Sequence, residues 1–162
     1  MRDFGAVMLQ CNFPFWNKIV TQIDEEDLYL EKADNIFGYE VEPHVTILYG
    51  LHEDVDHDKV VSDIESFKPI TIKLQGVDSF EGDGYDTLKI KVDRRELLSY
   101  RNVLLKHKNT QTFPEYNAHI TVAYLKKGAA KKYYNKSINF ELYCDEVKYS
   151  SPNRDSVYIK LQ

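Results

Sequence analysis

The sequence predicts an α+β fold in which two pseudo-symmetric lobes, each built on an antiparallel sheet, flank a central cleft with helices on the outside. Three observations carry that expectation. A six-residue phrase is written twice, as His44-Val45-Thr46-Ile47-Leu48-Tyr49 and His119-Ile120-Thr121-Val122-Ala123-Tyr124, 75 positions apart. Each copy is followed by a hairpin pattern of matching length, 23 residues from Ile70 to Val92 and 24 from Ile138 to Leu161. No linker rich in Gly, Pro or Ser divides the copies, so residues 1–162 are expected to form one domain with two internal repeat lobes.

Each element follows from local pattern. Residues 3–11 alternate loosely and read as a strand. Pro14 then opens a helix over 15–23, at a position where its missing N–H costs nothing. Residues 24–38 are acidic and irregular. The first motif strand covers 40–48, with Pro43 marking an edge or entry point. Val60, Val61, Ile64 and Phe67 recur at helical spacing within 56–67. Strands 70–80 and 85–92 flank Glu81-Gly82-Asp83-Gly84, a turn rich in residues that accept positive φ. Leu97, Leu98, Tyr100, Val103 and Leu104 give residues 94–108 an apolar helix face. The second motif strand covers 117–126, a short helix 131–135, and a final hairpin 137–149 with 156–161 around Ser150-Ser151-Pro152-Asn153.

Bulk properties narrow the function. The chain has 162 residues and a net charge of -5, which argues against gripping a long nucleic acid through many phosphates. It suits a small phosphorylated ligand in a locally basic pocket. Lys126, Lys127, Lys131, Lys132 and Lys136 read equally as that basic field or as a solvated face. Twelve Tyr and eight Phe exceed the needs of an ordinary core, so some could stack on flat ligands. Cys11 and Cys144 lack the spacing of a zinc ribbon or a redox pair and are expected as reduced thiols. Residues 1–9 do not read as a signal peptide, and no apolar run is long enough to span a membrane. A soluble, cytoplasmic protein is expected.

The duplicated phrase carries the chemistry. On a strand, residues i and i+2 share a face, so His44 with Thr46 and His119 with Thr121 each present an imidazole and a hydroxyl together. Two imidazoles facing one phosphate can run an in-line displacement: one takes a proton from the attacking hydroxyl, the other protonates the leaving oxygen. The Thr hydroxyls would donate to the non-bridging oxygens as charge builds there. A ribose 2′-OH is a fitting attacker. Zinc is the competing use of His44, His52 and His57, but the repeat supplies Thr rather than ligands, so no metal or cofactor is expected. His52, His57 and His107 read as surface residues. Tyr49 and Tyr124, at odd spacing from each His, read as core packing. Phe13, Trp16 and Tyr116 are candidate substrate-stacking residues, with helix or loop packing as their alternative role. Glu141 and Glu146 are candidate acceptors for a base edge.

The paired H-x-T motifs, each preceded by a turn residue (Pro43; Asn117-Ala118) and followed by an apolar strand, resemble the two-histidine (2H) phosphoesterase superfamily. The resemblance covers nearly the whole chain. It implies catalytic roles for His44, Thr46, His119 and Thr121, with no metal. The phrase Pro43-His44-Val45-Thr46-Ile47-Leu48-Tyr49-Gly50-Leu51-His52 resembles one branch in particular, the bacteriophage anti-CBASS phosphodiesterases, which destroy the cyclic oligonucleotide signals of bacterial antiviral immunity. That branch implies cleavage of a 3′–5′ linkage in a cyclic di- or trinucleotide within the host bacterial cytoplasm. Two alternatives stay open: a 2H enzyme acting on 2′,3′-cyclic phosphates or 2′–5′ RNA bonds, and a module that sequesters nucleotides without turnover.

Overall fold

The computed structural model describes residues 3–31 and 38–162. The elements form in the order β1 (Gly5–Gln10), α1 (Trp16–Val20), β2 (His44–Leu51), α2 (His57–Glu65), β3 (Ile70–Glu81), β4 (Tyr85–Val92), α3 (Arg95–Leu104), β5 (His119–Lys126), β6 (Glu141–Cys144), β7 (Glu146–Ser150) and β8 (Val157–Lys160). Short 3-10 turns occupy Glu25–Asp27 and Ala130–Tyr133. The fold is α+β, because every strand pairing among the described residues is antiparallel and the helices add to that sheet without parallel crossovers.

Instead of two separate sheets, the strands join in one antiparallel sheet of order β6-β3-β4-β5-β2-β1-β7-β8. Its two halves meet where β2 pairs with β5 through Val45 and Ile120. About that pair the halves mirror each other, β5-β4-β3-β6 against β2-β1-β7-β8. The lobes interleave in sequence: the β3–β4 hairpin lies between the motifs along the chain but flanks the second motif strand. The C-terminal hairpin returns to β1, beside the first.

The segment 137–149, expected as one strand, divides at Asp145. Its first part pairs with β3 and its second with β1, near opposite ends of the strand order. One residue spans only a few ångströms, so the sheet must curl until those ends approach. The contact of Cys144 Sγ with Cys11 Sγ at 4.0 Å, across 133 positions of sequence, follows from that closure. Both thiols are free and buried. The Cys144 thiol and burial together push the Cys11 thiol up.

The helices are shorter than expected. Asp56 caps α2 by accepting from the Lys59 N–H at 3.2 Å, and Val60 and Ile64 face the core. In α3, Leu97 and Leu104 do the same. The helix expected over 15–23 spans only Trp16–Val20, entered through Phe15 at φ 64°. Thr21 ends it, its hydroxyl donating back to the Asn17 carbonyl at 2.7 Å. The short helix expected at 131–135 is the 3-10 turn Ala130–Tyr133. Part of the irregular acidic stretch 24–38 lies outside the described residues. One core runs under the sheet, with Val7, Leu9, Val45, Ile47, Leu88, Ile90 and Ile120 packed against the helix residues Val60, Ile64, Leu97 and Leu104. The motif side chains point to the other face. No helix is long and apolar enough to cross a membrane among the described residues.

Candidate active site

Antiparallel pairing of Val45 with Ile120 places the rest of the site by counting. His44 falls opposite Thr121, and Thr46 opposite His119. Directly opposed residues point to the same side of a sheet, so all four side chains crowd one face about a twofold axis through the central pair. Burial agrees: the four are half-buried, whereas Val45, Ile47 and Ile120 are fully buried on the other face.

Beyond that pair the two strands separate, and each carries a bulge at the same place. Val7 pairs with Leu48 and Met8 with Thr46, leaving Ile47 unopposed. Leu88 pairs with Ala123 and Lys89 with Thr121, leaving Val122 unopposed. A bulge adds one residue and resets the alternation of faces. Tyr49 and Tyr124 are therefore not core residues, contrary to the simple alternation: Tyr49 is 44% exposed, and Tyr124 lies half-buried against Tyr85.

The edge of β2 freed by this separation is satisfied from α3 and the loop that follows it. The Tyr116 hydroxyl donates to the Thr46 carbonyl at 2.7 Å, Arg101 Nη1 to the Ile47 carbonyl at 3.0 Å, and Gln111 Nε2 to the Tyr49 carbonyl at 2.9 Å. The Thr110 N–H donates to the Gly50 carbonyl at 2.9 Å. Gly50 adopts φ +121°, and a Cβ there would sit 2.2 Å from the Thr110 carbonyl oxygen, so only glycine fits. On the β5 side, the Glu40 N–H donates to the Val122 carbonyl and the Tyr29 N–H to the Tyr124 carbonyl, both at 2.9 Å.

Both imidazoles are held in the same way. His44 Nδ1 lies 2.8 Å from the Glu42 carbonyl, and His119 Nδ1 lies 2.7 Å from the Asn117 carbonyl, each two residues upstream. A carbonyl can only accept, so each Nδ1 carries the proton and each Nε2 is left to exchange one. Burial lowers the His119 pKa below the ordinary imidazole value. The bond to the Asn117 carbonyl opposes this, the Lys89 and His44 charges reinforce it, and Asp78 opposes it weakly.

The pairing register extends this face outward. From His44 the row runs through Gln10, Glu146 and Lys160; from Thr46 it runs through Met8, Lys148 and Tyr158. On the other side Thr121 is followed by Lys89 and Asp78, and His119 by Lys91. The Phe80 ring meets the His119 imidazole edge-on, centroids 5.0 Å apart. Lys89, Lys91 and Lys148 are thus the cations that the register places in the motif rows, while Arg101 meets the first motif strand at its edge. Three lysines of the run after β5 are engaged elsewhere: Lys132 pairs with Asp24 and Asp27, Lys136 donates to Gln22, and Lys127 donates to the Gly82 carbonyl. Their charge serves the acidic 24–27 segment and the sheet margin rather than the cleft.

The candidate substrate-binding residues are scattered. Phe13 and Trp16 do not offer stacking faces, because both are buried against each other, and Phe13 also packs on Phe140. The Trp16 indole N–H donates to the Glu40 carbonyl at 2.8 Å. Tyr116 braces the first motif from behind, its ring covered by the Arg101 guanidinium at 4.6 Å and its phenol pushed up by burial. Glu141 is exposed on β6, opposite Lys73 and far along the sheet from both motifs. Glu146 is the member placed on the motif face, two strands from His44 through Gln10. A cavity of about 370 Å³ opens there, lined by Gln10, Glu42, Pro43, Tyr143, Glu146 and Tyr158 among others.

The remaining histidines have local work. His52 bonds Thr110, His57 bonds Tyr149 and the Glu53 carbonyl, and His107 pairs with Asp63. Among the described residues no group of three or more His, Cys, Asp or Glu converges as a metal site would need. Sequence reasoning missed Lys89, Phe80, Arg101 and Gln111. Of these only Lys89 had a readable signal, a lysine alternating with Leu88 and Ile90 in a strand that joins a motif strand.

The model of the 2′-5′ RNA ligase superfamily matches residues 14–155. Among solved structures, TT0787 of Thermus thermophilus is 14% identical with a TM-score of 0.54, the match covering 97% of this chain and 95% of that one. A structure titled phosphoesterase is 17% identical with a TM-score of 0.53, covering 99% and 96%. E. coli LigT, complexed with 3′-AMP, is 17% identical with a TM-score of 0.50, covering 100% and 96%. At these identities the structures establish the shared fold. No curated protein sequence matches the chain. The family model spans nearly the whole chain and both H-x-T strands, so this protein belongs to the 2′-5′ RNA ligase superfamily of 2H phosphoesterases.

Proposed function

We propose that this protein is a metal-independent phosphodiesterase that opens 3′–5′ linkages of cyclic di- or trinucleotides, and that it serves a bacteriophage by removing such immune signals in the host cytoplasm. The observation that carries the chemistry is the facing pair of imidazoles, each fixed through Nδ1 to a carbonyl two residues upstream, with a Thr beside each. Burial favours the neutral form of His119, which suits it as general base. His119 Nε2 takes the proton of the ribose 2′-OH, and O2′ attacks the adjacent 3′-phosphorus. The P–O5′ bond breaks in line, and His44 gives its Nε2 proton to O5′. The product is a chain ending in a 2′,3′-cyclic phosphate and a 5′-hydroxyl. Thr46 and Thr121 donate to the non-bridging oxygens, whose charge rises in the transition state.

A small substrate is supported by the net charge of -5 and by the few cations on the motif face. The second reading, a 2′,3′-cyclic phosphodiesterase or 2′–5′ RNA ligase, is favoured by the name of the matching family and by the 3′-AMP in LigT. One incubation separates them. Cyclic di- and trinucleotides, and RNA ending in 2′,3′-cyclic phosphate, are each incubated with the protein in EDTA and followed by chromatography. Turnover of a cyclic oligonucleotide is expected. Turnover of RNA ends alone would favour the second reading, and loss of turnover on chelation, restored by Zn²⁺ or Mn²⁺, would overturn the metal-free mechanism. Binding without turnover would mean a sequestering module.

A further inference from the structure

The two halves of the site match in their motifs, their bulges and their carbonyl anchors. They differ in the side chains beside them: Lys91 stands opposite His119 where Gln10 stands opposite His44, and the positions beside the Thr residues differ in a buried charge. On β4, Lys89 lies beside Thr121; the corresponding position on β1, beside Thr46, is Met8. Lys89 is only 6% exposed, and its ammonium pairs with Asp78 on β3. It also lies over the Phe80 ring, 4.4 Å from the centroid, and that same ring meets His119 edge-on. The position outside Met8, equivalent to Asp78, is Lys148, which reaches Glu42 at 3.7 Å.

Burying an ammonium is costly, and its carboxylate partner only partly offsets that. Packing does not demand the charge here, because Met8 shows that an apolar side chain of similar length fits the symmetry-equivalent place. A buried charge kept on one side of a site whose motifs and backbone are twofold breaks the equivalence of the two imidazoles. Resting on the paired acid–base reading, we propose that Lys89 is a positioning residue that assigns the base role to His119 and the acid role to His44. The buried ammonium opposes a second positive charge on the neighbouring ring, while no cation occupies the matching place beside Thr46. The charged groups facing His119 are Lys89 and Lys91 on β4, Asp78 on β3 and His44 on β2. Lys89 lies on the buried side and Asp78 is more open to solvent, so the cation outweighs the carboxylate at His119, acting in the same direction as the burial that mainly lowers its pKa.

The test needs no substrate for its first arm. The imidazole Cε1–H signals of His119 and His44 are titrated by NMR in the wild-type chain and in Lys89→Met, Lys89→Arg and Asp78→Asn. Lys89→Met should raise the His119 midpoint by about half a unit to one unit, Asp78→Asn should lower it, and Lys89→Arg should leave it near wild type. The opposed signs separate electrostatics from general loosening, and Asp78→Asn keeps the test alive if Lys89→Met folds poorly. A His119 midpoint indifferent to both charge changes would overturn the proposal. The second arm follows kcat/KM against pH on whichever substrate the protein turns over. Lys89→Met should move the acidic limb to higher pH, because the base then loses its proton later. A lowered kcat with an unmoved limb would mean Lys89 is merely structural. Absence of any turnover, with the NMR shifts as expected, would instead sink the catalytic reading and leave the electrostatic one standing.

Discussion

At the scale of single residues, the site rests on two side chains whose spare nitrogen is determined by a carbonyl. With Nδ1 committed, His44 and His119 each have one exchangeable position, and removing either ring removes a proton donor or acceptor outright. His44→Ala and His119→Ala should each lower turnover by at least about 10²-fold while ligand binding survives, measured as kcat beside a binding titration. Thr46→Ala and Thr121→Ala should cost less, since water can replace part of a hydroxyl's donation. A folded His variant with near wild-type turnover would refute the assignment. Because burial lowers the His119 pKa, a base at this position would already be neutral on the acidic side of the ordinary imidazole range. The acidic limb of kcat/KM should therefore fall below about pH 6.5. These four residues were legible because the same phrase occurs twice. Lys89 and Phe80 were not, since neither repeats, and their place beside the motif arises only from strand pairing.

The decisive element is the motif strand with its bulge. A regular strand would return Tyr49 to the core; the extra residue at Ile47 turns it outward, and the separation of β2 from β5 leaves a row of carbonyls to be capped by Tyr116, Arg101 and Gln111. This is why Tyr116, read from sequence as a stacking candidate, serves the backbone of Thr46 instead. Tyr116→Phe leaves that carbonyl short of a partner and should destabilise the fold by about 1–3 kcal/mol in denaturant titration. Thr46 shifts with its backbone, so a drop in kcat larger than any rise in KM is also expected. Unchanged stability and unchanged kcat would show that the Thr46 carbonyl needs no cap. Element types were readable from periodicity for α2, α3 and the β3–β4 hairpin. The bulges were not, because a one-residue insertion leaves no mark in a β-branched run. The failure at α1 has a local cause, a left-handed Phe15 and a back-bonding Thr21 that confine the helix to five residues.

For the whole molecule, curling turns a linear repeat into one groove. The repeat announced two lobes. That they share a single sheet, each lobe's hairpin flanking a motif strand, depends on long-range pairing that sequence periodicity does not encode. The same closure brings Cys11 and Cys144 together, while the strand order sets Glu141 three strands from the second motif and Glu146 two strands from the first. Fold class and the gathering of the four motif residues on one face were therefore readable from repetition, whereas the lining of the groove was not. The central claim is that this groove activates a ribose 2′-OH against its own phosphate. Its most direct test pairs a cyclic dinucleotide with the analogue that is 2′-deoxy at the scissile ribose, both in EDTA, with the first product identified by mass. The ribose form should yield a linear product bearing a 2′,3′-cyclic phosphate, and the deoxy form should bind without reacting. Efficient cleavage of the deoxy analogue would contradict the account and point to direct attack by water.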